Sequence, residues 1–457
     1  MKKILLFPLF ICLLLSIFVL HFVSCDNQQG SGQTAETTTT EEWIRPEPVE
    51  AKGLKYSVNT DKKTCTITSV GKCKDPHIFI PESIDGYKVT AIGNYAFKDC
   101  DTLISLMLPD SVSSIGKCAF ENCTALRDIL LPSSLETLGK YVFENCSMLS
   151  NIDLPDSLEF IGANAFKGCS GLTEITIPSS VTEIEKDIFY KASNLNTVYY
   201  NSSYSSSGND FLNTNSIQKI VFGGKTIPEF ICKKCENLKE IVIEDTVKTI
   251  EGGAFSLCSS LTEITVPDSV LAIGYGAFSF CSSLTNITLP SEITAIADST
   301  FQNCSDLTDI SIPDSVTSIG MEAFLGCSSL KAIQLPSALK FIDYGAFRDC
   351  SSLTDITIPE GITEIPDNTF KNCNNLTSII IPESVISIGS WSFSYTALKT
   401  IHFNGTKEDW NAIKKKSGWN NGLRNYEIIF EDEDSENEKP GNDGITESES
   451  SSLALHD

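Results

Sequence analysis

The chain has 457 residues, 41% of them hydrophobic, and carries 59 acidic against 34 basic side chains for a formal net charge of −25. The apolar share suffices for a buried core, while the acidic balance excludes nucleic acid as a partner and an electrostatic hold on anionic lipid, since both need a Lys/Arg surplus. Seventeen cysteines would ordinarily suggest a disulfide framework, but eleven of them recur in one register of a repeat, which argues for another use.

The N-terminus opens with Lys2 and Lys3 ahead of an almost wholly apolar run, Ile4 to Leu20. This is the layout of an export signal, assigned to residues 1–24. Phe22-Val23-Ser24-Cys25 resembles a bacterial lipobox, with Phe22 where the usual pattern has Leu, and makes Cys25 the candidate lipidation residue. The alternative is an uncleaved apolar anchor, because a run of this length can span a bilayer. Either way the rest of the chain is expected outside the cytoplasm and tied to a membrane. Residues 25–50 hold the candidate lipidated cysteine and a polar, Thr-rich tether that is disordered by composition.

Residues 51–75 read as an N-terminal β cap. Leu54–Asn59 and Thr64–Val70 alternate in polarity around the turn Thr60-Asp61-Lys62-Lys63. A solenoid needs such a cap, since an open strand edge invites association. Cys65 and Cys73 lie off the repeat register and close together, so they are the candidates for a disulfide.

From residue 76 to 404 the chain repeats. Between Cys258 and Pro382 the period is 23: CSSLTEITVPDSVLAIGYGAFSF is followed by four further copies and the start of another. Self-similarity at a fixed period specifies a β-rich solenoid. In Leu261–Pro267, Leu261, Ile264 and Val266 are expected to face inward, with Thr262, Glu263 and Thr265 outward. Pro267 ends that strand because it has no N–H to donate to a ladder. Val270 and Ile273 mark a second short strand. Gly274 permits a turn that a side chain would obstruct, and Phe278 fills the inside of the bend. Each coil leaves an apolar face bare, so neighbours must stack on it.

The register cysteines are Cys100, Cys123, Cys146, Cys169, Cys235, Cys258, Cys281, Cys304, Cys327, Cys350 and Cys373. Stacking makes them a column of buried free thiols. Their Cβ atoms point the same way, which is poor geometry for bridging neighbours. The repeat loses regularity over 201–244, where the stretch 201–215 replaces half a coil with Ser, Asn and Gly. Such a segment reads as a degenerate coil or a binding loop.

Residues 405–430 form the expected C-terminal cap, of strand-helix-strand type with its opening strand drawn from the end of the array. Thr406 can cap a short helix that carries Trp410 and Ile413 on one face, Lys414 to Lys416 follow at its C-terminal end, and Tyr426 to Phe430 reads as a closing strand. Residues 431–457 are an acidic tail, disordered by composition.

No catalytic, cofactor-binding or metal-binding constellation emerges. The chain has four histidines, of which only His77 and His402 fall in the folded part. Cys232-Lys233-Lys234-Cys235 is a C-x-x-C, but Cys235 is the register cysteine and Cys232 takes the position of Phe255 and Phe278, so it reads as a core substitution. A partner would meet the outward strand positions. In the column of Thr265 most of the later coils carry Thr or Ser, whereas Tyr199, Val221 and Val242 are apolar and adjoin the irregular coils. These three are the candidate partner contact.

The Leu-x-x-Ile-x-Ile-Pro strand followed by Ile-Gly-x-x-Ala-Phe-x-x-Cys resembles the leucine-rich repeat of BspA-like bacterial surface proteins, over about residues 76–404. Phe403 to Trp410 is similar to the closing unit common in that family. The resemblance implies a leucine-rich repeat fold and a surface-exposed, often lipid-anchored adhesion protein. Such a protein would bind host matrix or plasma proteins, or other cells. A structural envelope spacer that associates only with itself is the alternative. No enzymatic activity is expected.

Overall fold

The computed structural model describes residues 47–204 and 216–431. The export signal, Cys25, most of the tether, the stretch 205–215 and the tail beyond Glu431 lie outside the described residues.

One coil shows why the chain folds as it does. Leu261, Ile264 and Val266 are buried, while Thr262, Glu263 and Thr265 are exposed. The strand Glu263–Thr265 pairs in parallel with Asn286–Thr288, one period on. A turn after Pro267 leads to the short strand Ala272–Ile273, which pairs in parallel with Thr249–Ile250. Gly274 then passes close to the previous coil: a Cβ there would stand 2.6 Å from the Gly252 nitrogen, so only glycine fits. Repetition gives a β-solenoid of about 15 turns with parallel ladders on two sides and, among the described residues, a single α-helix, Lys407–Ala412.

Two columns of side chains run through the core. Phe278, Phe301, Phe324, Phe347, Phe370 and Phe393 stack with centroids 5.4–5.8 Å apart and planes within 20° of parallel. Each such pair contributes roughly 0.5–1.5 kcal/mol beyond area burial. Beside it runs the thiol column. Cys123, Cys146, Cys169, Cys258, Cys281, Cys304, Cys327, Cys350 and Cys373 are buried. Each donates its S–H at 3.1–3.3 Å to the carbonyl of the residue 26 positions earlier. In eight of the nine that carbonyl belongs to a column phenylalanine; Cys258 reaches Cys232. The thiol therefore satisfies a backbone acceptor inside the bend while filling a small apolar space.

The cap cysteines require a correction. Cys65 and Cys73 are both free thiols. Cys65 points inward from the strand Thr64–Ser69, and its thiol lies 3.6 Å from the Tyr87 carbonyl. Cys73 sits on the thiol column after all. Its N–H donates to Val70 as the N–H of Cys100 donates to Phe97, both at 3.2 Å. Its sequence spacing misleads because the antiparallel pair Ser83–Ile84/Tyr87–Lys88 is inserted in that coil. The folded part also begins earlier than 51, since Val49–Glu50 pairs in parallel with Ile78–Phe79.

At the other end Thr406 caps the helix. Its Oγ1 accepts from the Asp409 N–H at 3.2 Å, and the Asp409 carboxylate accepts from the Thr406 N–H at 3.2 Å. Lys414 and Lys415 differ from the expectation: they leave the helix and form a two-residue strand beside Ser387–Ile388. Lys415 nevertheless turns back, donating to the carbonyls of Trp410 and Ile413 and standing 4.5 Å from the Trp410 ring centroid. Thr406→Ala removes the side-chain arm of the capping box, the acceptor for the Asp409 N–H, and should lower stability by about 1 kcal/mol. Hydrogen exchange should show that loss confined to the last coils, because each coil contacts only its neighbours.

Candidate partner-binding surface

The outward positions of the first-strand ladder are the surface the fold leaves free to vary. Four strands, Glu174–Ile177, Thr197–Tyr200, Lys219–Phe222 and Glu240–Ile243, pair in unbroken register across the irregular coils. The first-strand ladder itself is therefore regular here. The register sets Tyr199 beside Val221 and Val221 beside Val242, as the column requires.

Their exposure is unequal. Val242 is exposed, Tyr199 half-buried, and Val221 only 9% exposed. Val221 lies between two apolar in-register neighbours, which cover it from either side. The exposed part of this candidate patch is thus Tyr199 and Val242, with Val221 covered between them. Tyr200 is fully buried, as its inward register demands, and its hydroxyl donates to the Tyr204 carbonyl at 3.0 Å. On the neighbouring outward column Lys219 and Glu240 pair at 2.6 Å. Both are well solvated, so this pair orders the surface more than it stabilises it.

Further along, the same face becomes polar. A shallow groove of about 1000 Å³ is lined by Asp309, Ser311, Gln334, Asp355 and Thr357, among others. A second surface was missed by reading the first strands alone. Leu271, Tyr275, Phe341 and Ile386 are 52–69% exposed on and beside the short second strands. Tyr275 and Phe341 border a hollow of about 660 Å³. The signal was present: other coils carry Thr317, Lys340 or Thr363 where Leu271 and Ile386 stand.

The chemistry of the surface is bland. His77, Ser105 and Asp128 follow one another across three strands, and His77 Nδ1 lies 2.9 Å from Ser105 Oγ. This is not a nucleophilic triad: the serine, not the histidine, is central, and Ser105 is 2% exposed. Among the described residues no group of three or more His, Cys, Asp or Glu could hold a metal ion. Burial raises the thiols, with Cys169 and Cys281 pushed up to about 12, which suppresses nucleophilic reactivity. No helix among the described residues is long and apolar enough to cross a membrane.

The model of the BspA type leucine rich repeat region matches in six copies, over residues 90–224, 225–320 and 295–415. A leucine-rich repeat protein from Bacteroides ovatus is similar at 27% identity, covering 83% of this chain and 98% of its own, with a TM-score of 0.58. A leucine rich cell surface protein from Faecalibacterium prausnitzii is similar at 29% identity, covering 82% of this chain and 99% of its own, with a TM-score of 0.37. No curated protein matches.

Proposed function

The chain belongs to the BspA-type leucine-rich repeat family, and from that premise we propose that it is an exported adhesion protein whose first-strand face binds a protein partner. One observation carries the reading: inward positions repeat from coil to coil, while the outward column changes from Tyr199 and Val242 to Thr265 and Thr288 and on to Gln334. A scaffold that holds its interior fixed and varies one extended face is suited to recognising a large surface. Host matrix or plasma proteins, or the surface of another cell, are the partner classes that fit. The N-terminal segment supports anchoring through a lipid on Cys25, with the folded part held at the outer surface of a bacterial cell.

Solid-phase binding of the full chain to immobilised matrix and plasma proteins tests the proposal. Saturable binding supports it; association only with itself would favour the envelope spacer instead. Tyr199→Ala and Val242→Asp should each weaken binding about tenfold or more while leaving the melting temperature nearly unchanged, as for an aromatic or apolar anchor at a contact. Loss of stability at unchanged affinity would show that these residues only pack. For the anchor, Cys25→Ser should release the protein from the membrane fraction or leave it unprocessed.

A further inference from the structure

We infer that Cys232 and Cys235 are a redox-responsive pair that closes into a disulfide within a single turn when the chain meets a small organic disulfide. This property is separate from partner binding. The other described cysteines of the column sit one coil apart, with Cβ atoms pointing the same way and, in nine of them, the S–H turned to a carbonyl of the preceding coil. Here the repeat places a second thiol in the phenylalanine position of the same coil. The N–H of Cys235 donates to the carbonyl of Cys232 at 3.0 Å, and Lys234 adopts a φ of 67°. That is a tight turn, and it holds its first and last Cα atoms within about 7 Å, the range a disulfide spans. The two side chains lie within hydrogen-bonding reach of each other. The Cys258 thiol is turned to the Cys232 carbonyl at 3.3 Å, so the backbone of this turn is held as in the phenylalanine coils.

The surrounding core has adapted to the missing ring. Phe222 reaches across to pack edge-on against Phe255 at 5.8 Å, in the column that Cys232 interrupts. Cys232 is therefore a small, fully buried residue where the neighbouring coils carry a ring.

The chemistry balances as thiol–disulfide exchange. One cysteine thiolate attacks a sulfur of the small disulfide, forming a mixed disulfide and releasing one small thiolate. The second cysteine thiolate then displaces the other. Two protein thiols are oxidised, one organic disulfide is reduced to two thiols, and their two protons pass to solvent and to the departing thiolates. Both thiols are buried, so the first attack waits for local opening of the coil.

The test uses the full chain, reduced, freed of reductant and incubated with oxidised glutathione under native conditions and in urea below the unfolding transition. After alkylation and unfolding, trypsin at Lys233 and Lys234 separates the two cysteines into peptides 226–233 and 235–239. The inference expects the two to remain one species until reductant is added, with a yield that rises several-fold in sub-denaturing urea. It also expects the tryptic peptide 249–331, which holds Cys258 and Cys281, to be alkylated on both throughout. Cys232→Ala should stay folded, remove the linked species and leave Cys235 alkylated. If that variant does not fold, the peptide map of the unaltered chain decides alone. Separate alkylation of Cys232 and Cys235 at every oxidant level, or a bridge that forms only in the fully unfolded chain, would overturn the inference.

Discussion

Taking the protein from about pH 8 to about pH 10 should lower its urea midpoint steeply, with one thiol per coil driving the loss. Nine column thiols, Cys123 to Cys169 and Cys258 to Cys373, are all raised above their ordinary value, with burial the first cause in each. The sign follows from linkage. Above about pH 8.5 the unfolded chain loses thiol protons that the folded chain keeps, so the unfolded state binds fewer protons and stability falls as pH rises. The contribution is fully present below the unfolded value and is lost as pH climbs toward the folded one. Each thiol should contribute about 1.4 kcal/mol of loss per pH unit in that window, or about 2 kcal/mol per coil at pH 10. Contacts run only between neighbouring coils, so the array should open in segments, and the unfolding transition should broaden as it moves. Reductant must be present, so that oxidation does not substitute for ionisation. A midpoint that stays level between these pH values would mean that the column is hydrated.

Phe324→Ala should destabilise the chain by about 3–5 kcal/mol, the cost of deleting a buried ring whose site cannot collapse. Phe324 is fully buried, stacked at 5.4 Å on Phe301 and on Phe347, and its carbonyl accepts from the Cys350 thiol at 3.2 Å. The backbone on either side is fixed by the ladders, so little relaxation is available. The coil at Cys232 provides an internal comparison. There the ring is absent, and a larger residue, Phe222, compensates from the neighbouring strand. The equivalent strand position in the coil of Phe324 is Ile312, whose side chain is too short to do the same. Hydrogen exchange should show the loss centred on the coils from Phe301 to Phe347. A loss below about 1 kcal/mol would mean that the stack is incidental to stability.

The architecture was legible because the period repeats one physical solution. Leu261, Ile264, Val266, Phe278 and Cys281 are all buried as their spacing requires. Three features escaped for local reasons. Cys73 looks off register because a hairpin lengthens its coil, and only the backbone hydrogen bonds reveal its place on the column. Val221 is outward by register yet covered, because register fixes direction while burial depends on the neighbours in the column. Phe341 sits on a short second strand and Ile386 just before one, where two residues are too few for alternation to show in the sequence. The partner-binding face is legible only as a set of positions, since an outward Thr serves a β-surface as well as it serves a ligand.

Everything else rests on the repeated cysteine, Cys235 apart, being a core residue of a scaffold that carries no chemistry of its own. Titrating thiols with an aromatic disulfide reagent, first in the native chain and then after unfolding without reductant, tests it directly. Few thiols should react natively, and the eleven register cysteines, with at most Cys235 missing, should appear on unfolding. Register cysteines that react rapidly in the native state, or that remain mostly paired after unfolding, would contradict it.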